Sequence, residues 1–358
     1  MANILVLGAG VMGSAITVPL TDAGHVVRLV GTHLDAELIA SIRQARFHPR
    51  LRSHLPESVA PYTNDQLGEA MRGADLVFLG VNSEGLDWAA ERLRATLPPR
   101  VPVILLTKGL RGNGKSIEIL PRVLEARLRT GQRGGVCGIG GPSIAGELAA
   151  RRQTSVVLAG PDQALVDRLS ECVRTPYYHV WPSIDLVGVE VCAALKNLFA
   201  LGVGTVAGLL ERSPAVKDEV RMHNPASALF AQALWEMEHV VARLGGRKST
   251  VRGLAGAGDL YVTCQAGRNC RMGRWLGLGM RYSEAKARHM SEDTVEGAET
   301  AAAIRATVDA MIDSEALDGV VLPLMTAIMD MVCNDGPVDI RWDRFFAERA
   351  RSIPQRRV

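Results

Sequence analysis

The chain has 358 residues, 47% hydrophobic and 22% charged, so a largely disordered polypeptide is excluded and about two domains are expected. Its 41 basic and 38 acidic residues nearly cancel, and aromatics are only 4%, so it suits neither a polyanion-binding surface nor a base-stacking platform. The 36 glycines follow no Gly-X-Y period, which excludes collagen, and the core is left to Ala, Val, Leu, Ile and Met.

Asn3–Leu7 is a short apolar run and reads as a buried strand, followed by helical spacing over Val11–Ala23. Val26–Val30 is the second strand. Further strands are expected at Leu76–Val81, Val101–Leu106, Val136–Ile139 and Ser155–Leu158, with amphipathic helices at Asp87–Thr96 and Ser116–Leu128. Continuous apolar runs separated by helices predict an α/β, Rossmann-like doubly wound parallel sheet, covered on both faces, over residues 1–185. At Trp181-Pro182-Ser183 the pattern changes, and Pro and Ser suit a helix start. Residues 186–358 read as an all-α domain, with helical patterns at Val189–Leu210, Asn224–Leu244, Met272–Leu278, Ser283–Ala287, Thr300–Ile312 and Val320–Val332. Arg341, Arg344, Arg349, Arg351, Arg356 and Arg357 read as a solvated helix face and a frayed basic tail.

The six cysteines, Cys137, Cys172, Cys192, Cys264, Cys270 and Cys333, show no CxxC spacing. No metal site is expected from them, and each reads as a small buried residue of a reduced protein. No apolar run reaches the roughly 18 residues that a bilayer span needs. The N-terminal segment has no basic flank and reads as a strand rather than a signal peptide, so a cytoplasmic location is expected.

Gly8-Ala9-Gly10-Val11-Met12-Gly13 fits G-x-G-x-x-G between a strand and a helix. Gly8 allows a tight turn, Gly10 lets a pyrophosphate approach the backbone, and Gly13 lets the helix pack on the strand. After the second strand, Val30-Gly31-Thr32-His33-Leu34-Asp35 puts neither an acid nor an arginine at the strand end. The cofactor is therefore NAD or NADP, with a lean to NAD because no Arg or Lys follows the strand. Loops at the carboxyl ends of later strands should line the same crevice: Asn82-Ser83, Thr107-Lys108-Gly109 and Gly141-Pro142-Ser143. In the helical half, Lys196 interrupts an apolar stretch, Glu190 to Gly202, where burial would lower its pKa and suit a general base. Gly253 to Asn269 brings small residues together with Asp259, Thr263, Arg268 and Asn269, and arginine is the usual bidentate grip for phosphate. The plainer alternatives are a surface lysine for Lys108, a snorkelling lysine for Lys196, and a helix-capping aspartate for Asp259.

In order along the chain come Gly8–Gly13, Thr107-Lys108-Gly109, Gly141-Pro142-Ser143-Ile144-Ala145-Gly146-Glu147, Leu195-Lys196-Asn197, Ala255-Gly256-Ala257-Gly258-Asp259-Leu260, Thr263-Cys264, Gly267-Arg268-Asn269 and Val295-Glu296-Gly297. This set resembles the NAD(P)-dependent glycerol-3-phosphate dehydrogenases. The resemblance implies a Rossmann domain plus a helical domain like that of 6-phosphogluconate dehydrogenase, with the active site in the cleft between them. It implies hydride transfer between NAD(P) and a phosphorylated secondary alcohol, foremost sn-glycerol 3-phosphate and dihydroxyacetone phosphate. A homodimer is expected because dimers are common and an apolar helical domain permits one. Lys196 would be the general base, Lys108 would polarise the substrate oxygen, and Asp259 would position Lys196. Asn197, Thr263, Arg268 and Asn269 would bind substrate. Gly8, Gly10, Val11, Met12, Gly13, Ser83, Lys108, Ala145, Arg268 and Glu296 would meet the cofactor. The segment Glu211–Ala228 departs from the family pattern, with Pro225 and Ala226 where Thr or Ser and Lys are usual. That leaves a larger polyol phosphate (tetritol or pentitol) or a catalytically silent NAD(P)-binding sensor as alternatives. Ketopantoate reductases and the 6-phosphogluconate and β-hydroxyacid dehydrogenases share the glycine motif and a helical-domain lysine, but not the A-G-x-G-D-L and G-R-N combination.

Overall fold

The computed structural model describes residues 1–133, 135–213, 223–265 and 267–345. The expected basic tail after residue 345, and most of the departing segment before His223, lie outside the described residues. The chain divides into two compact units: Met1–Lys108 with Ile119–Glu190, and Gly109–Glu118 with the chain from Val191 onward.

The first unit is built on eight strands: β1 Asn3–Leu7, β2 Val26–Val30, β3 Ala60–Tyr62, β4 Leu76–Leu79, β5 Val103–Leu105, β6 Val136–Gly140, β7 Thr154–Ala159 and β8 Tyr178–Ser183. Their spatial order is β8-β7-β6-β5-β4-β1-β2-β3. The first six give the doubly wound order 3-2-1-4-5-6, with the reversal between β1 and β4. Successive side chains alternate faces. Ile4 and Val6 join one apolar cluster with Leu29, Phe78 and Ile104, while Leu5 and Leu7 join the other with Val30, Val77 and Leu79. Each such side chain, once fully buried, contributes about 1.5–3 kcal/mol.

Two features differ from the sequence reading. β7 runs antiparallel to β6, with Gly138 opposite Ala159, so the sheet is mixed at that edge. An antiparallel return needs no crossover over the sheet face. The stretch Trp181-Pro182-Ser183 begins no helix but ends edge strand β8, where Pro182 is tolerated because an edge position need not donate on both sides.

The second unit is helical. We label α1 Val11–Asp22 in the first unit, then α2 Leu186–Arg212, α3 His223–Arg243, α4 Asp259–Gln265, α5 Arg268–Gly277, α6 Glu296–Asp313 and α7 Pro323–Cys333. By length and composition α2 could cross a membrane, contrary to the expectation from uninterrupted apolar runs, although 89% of its apolar window is buried inside the protein. Lys196 and Asn197 break the run without lowering the average enough. Helices α2 and α5 approach at backbone distance. A Cβ on Gly273 would fall 2.1 Å from the Leu201 carbonyl, and one on Gly208 would fall 2.0 Å from that of Arg274. The start of α7 is held by buried Glu236, whose carboxylate accepts from Leu324 and Met325 N–H at 2.7 Å each. Those are orphan donors of a first helical turn, which need such a partner when buried. The short hairpin Leu110–Gly112 with Ile117–Ile119 packs on α6, and the Gly114 N–H donates to Thr307 Oγ1 at 2.9 Å. The Ser116–Leu128 segment, expected to be one helix, is therefore a strand end followed by the helix Leu120–Arg127.

Candidate active site

The glycine loop sits where β1 ends and α1 begins. Gly8 has φ 107°, a region that only glycine enters cheaply, and a Cβ there would meet the Gly80 carbonyl carbon at 2.7 Å. A Cβ on Gly13 would lie 2.0 Å from the Gly8 oxygen, so α1 can pack here only with glycine. Gly10 is different: the nearest protein atom to its Cβ position is 3.8 Å away. Nothing inside the protein requires glycine there, and the open space is what a pyrophosphate would use. The first-turn N–H groups of Val11, Met12 and Gly13 have no acceptor within the helix, and no acid lies in that turn. These residues fit a dinucleotide phosphate.

At the end of β2, a Cβ on Gly31 would strike Ile39 at 2.6 Å, so the helix packed there forbids an acid immediately after the strand. Asp35 does not project into the crevice as a ready ribose ligand. Its carboxylate accepts from the Thr32 N–H and Thr32 Oγ1, each at 2.8 Å. His33 packs against the Trp88 ring at 5.4 Å between centroids. Asn82 Oδ1 accepts from Gly85 N–H at 2.9 Å and so shapes the loop that carries half-buried Ser83. Ala145 opens a short helix and packs on the sheet's core. Lys108 follows β5, half-buried, next to Thr107, whose hydroxyl donates to the Val81 carbonyl at 2.7 Å.

Glu190 was not among the expected site residues, although a lone acid in an apolar stretch is a signal. It is 1% exposed, its Oε2 is buried without a hydrogen-bond partner, and a Cβ on Gly138 would lie 2.0 Å from its Oε1. Burial pushes its carboxyl up to about 8, with the Lys108 charge opposing.

In the second unit, the geometry centres on Lys196. Its residue is 8% exposed, and Nζ donates to Asp259 Oδ1 at 2.5 Å and to Thr263 Oγ1 at 2.9 Å. The Thr263 hydroxyl in turn donates to the Asp259 carbonyl at 2.7 Å. Asp259, 1% exposed, does not cap a helix terminus in open solvent; it follows a π turn over Leu254–Gly258, closed by Gly258 N–H to the Gly253 carbonyl at 3.1 Å. Such turns are rare and recur at functional sites. A Cβ on Gly256 would meet the Val251 carbonyl at 2.1 Å, so this small-residue run is a tight turn and not the meeting of two helices.

On the next residue of α2, Asn197 Nδ2 donates to Glu296 Oε2 at 3.1 Å, and Asn269 Nδ2 donates to Asn197 Oδ1 at 3.0 Å. Asn269 Oδ1 accepts from Gly297 N–H at 2.9 Å, and Arg268 donates to Glu296 Oε1 at 2.8 Å. Asn197 and Asn269 are buried, whereas Arg268 and Glu296 stay on the rim with side chains 45% and 42% exposed. Lys196, Asp259 and Thr263 thus form one hydrogen-bonded cluster and Asn197, Arg268, Asn269 and Glu296 a second, carried by the adjacent residues Lys196 and Asn197 of α2. Gly8 to Gly13, Ser83, Lys108 and Ala145 belong to the other unit. The cysteines are not uniformly buried as expected: Cys137 and Cys192 are, Cys172, Cys264 and Cys270 are half-buried, and Cys333 is exposed.

Residues 3–166 match the N-terminal domain, and residues 185–341 the C-terminal domain, of the family described as NAD-dependent glycerol-3-phosphate dehydrogenase. An NADP(+)-dependent glycerol-3-phosphate dehydrogenase of Archaeoglobus fulgidus is 34% identical over 320 residues, covering 88% of this chain and 93% of that protein. A glycerol-3-phosphate dehydrogenase [NAD(P)+] of Geobacillus thermodenitrificans is 34% identical, covering 79% of each chain. The crystal structure of the Coxiella burnetii glycerol-3-phosphate dehydrogenase superposes with a TM-score of 0.79 at 26% identity, covering 98% of both chains. A ketopantoate reductase of Ralstonia eutropha, at 15% identity and a TM-score of 0.53, shares the fold alone.

Proposed function

The chain belongs to the NAD-dependent glycerol-3-phosphate dehydrogenase family, and on that premise we propose that it interconverts sn-glycerol 3-phosphate and dihydroxyacetone phosphate with NAD or NADP. The observation that carries this reading is the buried Lys196 ammonium, fixed by Asp259 and Thr263. The nicotinamide, when bound, supplies or accepts the hydride at carbon 2. The protein's part is to hold the substrate and move one proton. In the reducing direction Lys196 Nζ gives its proton to the carbonyl oxygen; in the oxidising direction it takes the hydroxyl proton. Asp259 and Thr263 act as positioning residues for Nζ. Lys108, in the first unit, takes its expected role towards the substrate oxygen from the Thr107-Lys108-Gly109 motif.

The phosphate falls to Arg268 and the first turn of α5, whose entry at Gly267 has φ 132° and whose first turn holds no acid. Asn269 spends its amide on Asn197 and Gly297, so its side chain serves to position Asn197 and the start of α6. Gly10 and the α1 terminus would hold the pyrophosphate, with Val11, Met12, Ser83 and Ala145 around it. Asp35 is folded onto Thr32, and no basic residue stands at the end of β2, so that strand end favours neither dinucleotide. This supports use of both over the lean to NAD. A cytoplasmic homodimer is part of the same proposal, to be tested by fractionation and sedimentation.

The deciding experiment follows NADH and NADPH oxidation with dihydroxyacetone phosphate and with four- and five-carbon ketose phosphates. Turnover highest with dihydroxyacetone phosphate supports the reading. Preference for a longer ketose phosphate would assign a larger polyol phosphate instead, and no turnover of any phosphorylated ketone would overturn the reaction class.

A further inference from the structure

His48 belongs to no motif of the chain, yet it is fully buried and bonded to the glycine loop. It lies in a short hairpin, Phe47–His48 with Ser53–His54, where it pairs with Ser53. Its Nδ1 accepts from the Leu51 N–H at 3.0 Å, which leaves the ring proton on Nε2. Nε2 therefore donates to the Ala9 carbonyl at 3.0 Å, 39 residues back in the chain. Burial holds the imidazole below its usual pKa against the opposing Ala9 hydrogen bond, so the ring is neutral at pH 7; the Arg50 charge adds to that effect and Asp35 works against it.

The Ala9 carbonyl accepts a second bond, from Ser14 Oγ at 2.9 Å. Ala9, Ser14 and His48 are each 0% exposed, so this oxygen faces the protein interior. The next carbonyl, that of Gly10, accepts from the Ser14 N–H at 2.8 Å as α1 begins. A trans peptide carries its C=O and N–H on opposite sides. Turning the Ala9 oxygen inward therefore turns the Gly10 N–H outward.

We propose that His48, together with Ser14, is a positioning residue for the dinucleotide: the two side chains lock the Ala9–Gly10 peptide so that the loop offers the Gly10 N–H, and not a carbonyl, to the pyrophosphate. The inference rests on the reading that Gly10 and the α1 terminus hold the pyrophosphate. The lock matters because Gly10 has no Cβ and tolerates the positive φ that a flipped peptide adopts. After such a flip the Ala9 oxygen would face the phosphates, where an anion needs N–H groups.

The hairpin has anchors of its own. Leu51 and Leu55 enter the same apolar cluster as Ala9, Ser41 Oγ donates to the Phe47 carbonyl at 3.1 Å, and the Arg52 N–H donates to the His48 carbonyl at 2.8 Å. The bond from Nε2 to Ala9 can therefore be removed while these anchors remain.

The test titrates the full chain calorimetrically with NADH and with ADP-ribose, which carries the pyrophosphate without a nicotinamide, and records the thermal unfolding of each variant. His48→Asn puts an amide near the Nδ1 position, where it can still serve the Leu51 N–H but falls short of Ala9. His48→Gln reaches the Nε2 position and keeps a donor for Ala9. The expected result for His48→Asn is a rise of about three- to tenfold in Kd for both ligands. His48→Gln should recover most of the affinity. Ser14→Ala removes the second donor and places a good helix former in α1, so it folds even if His48→Asn does not, and it should weaken both ligands by a similar factor. Wild-type affinity in a folded His48→Asn or Ser14→Ala variant, equal losses in the Asn and Gln variants, or a loss for NADH alone overturns the proposal. A wild-type chain that binds neither ligand would fault the cofactor reading itself, and the proposal with it.

Discussion

Lys196 Nζ lies 2.5 Å from Asp259 Oδ1, and the two residues are 63 positions apart in the chain. Both are almost fully buried, so the pair is screened little by water, and Nζ is held in place by its hydrogen bonds to Asp259 and Thr263. A buried pair is weak evidence for stability, because desolvation offsets much of the attraction. Its value here is to hold one nitrogen at one point.

Lys196→Ala should lower kcat by about 10²–10⁴-fold, the usual contribution of a positioned acid or base. The variant also leaves Asp259 buried without its cation, which costs about 3–5 kcal/mol of stability. Binding of NADH, followed by fluorescence on the folded variant, should persist. Turnover at the wild-type level would remove Lys196 from the chemistry.

Arg268→Ala should mainly raise KM for dihydroxyacetone phosphate. A charge-assisted hydrogen bond is worth about 1.5–3 kcal/mol, or roughly 10- to 150-fold. The ion pair to Glu296 is on the rim and adds little to folding, so the melting temperature should hardly move. An unchanged KM would place the phosphate elsewhere.

Gly10→Ala and Gly13→Ala should separate binding from folding. At Gly13 the added Cβ meets the Gly8 oxygen at 2.0 Å, and overpacking of this kind costs about 1–3 kcal/mol. At Gly10 the nearest atom is at 3.8 Å, so the fold should tolerate alanine to within about 0.5 kcal/mol. Titration with NADH should then show weaker binding for Gly10→Ala at nearly unchanged stability. Equal affinity in that variant would mean that the pyrophosphate does not approach Gly10.

Glu190 gives the fold a pH dependence. Its carboxyl is raised by burial from 4.5 to about 8. A group raised on folding contributes stability that is fully present below its unfolded value and is lost as the pH rises through its folded value. The wild type should therefore lose stability between about pH 4.5 and pH 8. Glu190→Gln, neutral throughout, should flatten that decline in thermal unfolding scans. Parallel pH profiles for the two proteins would show that Glu190 does not carry the effect.

Much of the first unit was legible because its signals are local. Asn3–Leu7 and Val26–Val30 are strands where the apolar runs put them, and the helix after Gly10 starts at Val11. What the pattern did not carry was strand direction and hairpin membership. Thr154–Ala159 reads the same parallel or antiparallel, and Gly109–Glu118 gives no hint that it belongs with the helical unit. The site divides in the same way. Lys196, Asp259, Thr263, Arg268 and Asn269 stood out as polar residues among small ones. Their pairing did not, because hydrogen bonds between residues so far apart are fixed by which helix faces meet.

The sequence by itself determined the order of elements, the glycine-loop motif and the set of polar residues available for chemistry. These follow from steric rules and hydrophobic periods that act within a few residues. Only the tertiary structure decided that Asp259 and Thr263 share Lys196, that Gly297 docks on Asn269, and that Asp35 is spent on Thr32. Each of these depends on where backbones can approach, and close packing settles that for the whole unit at once.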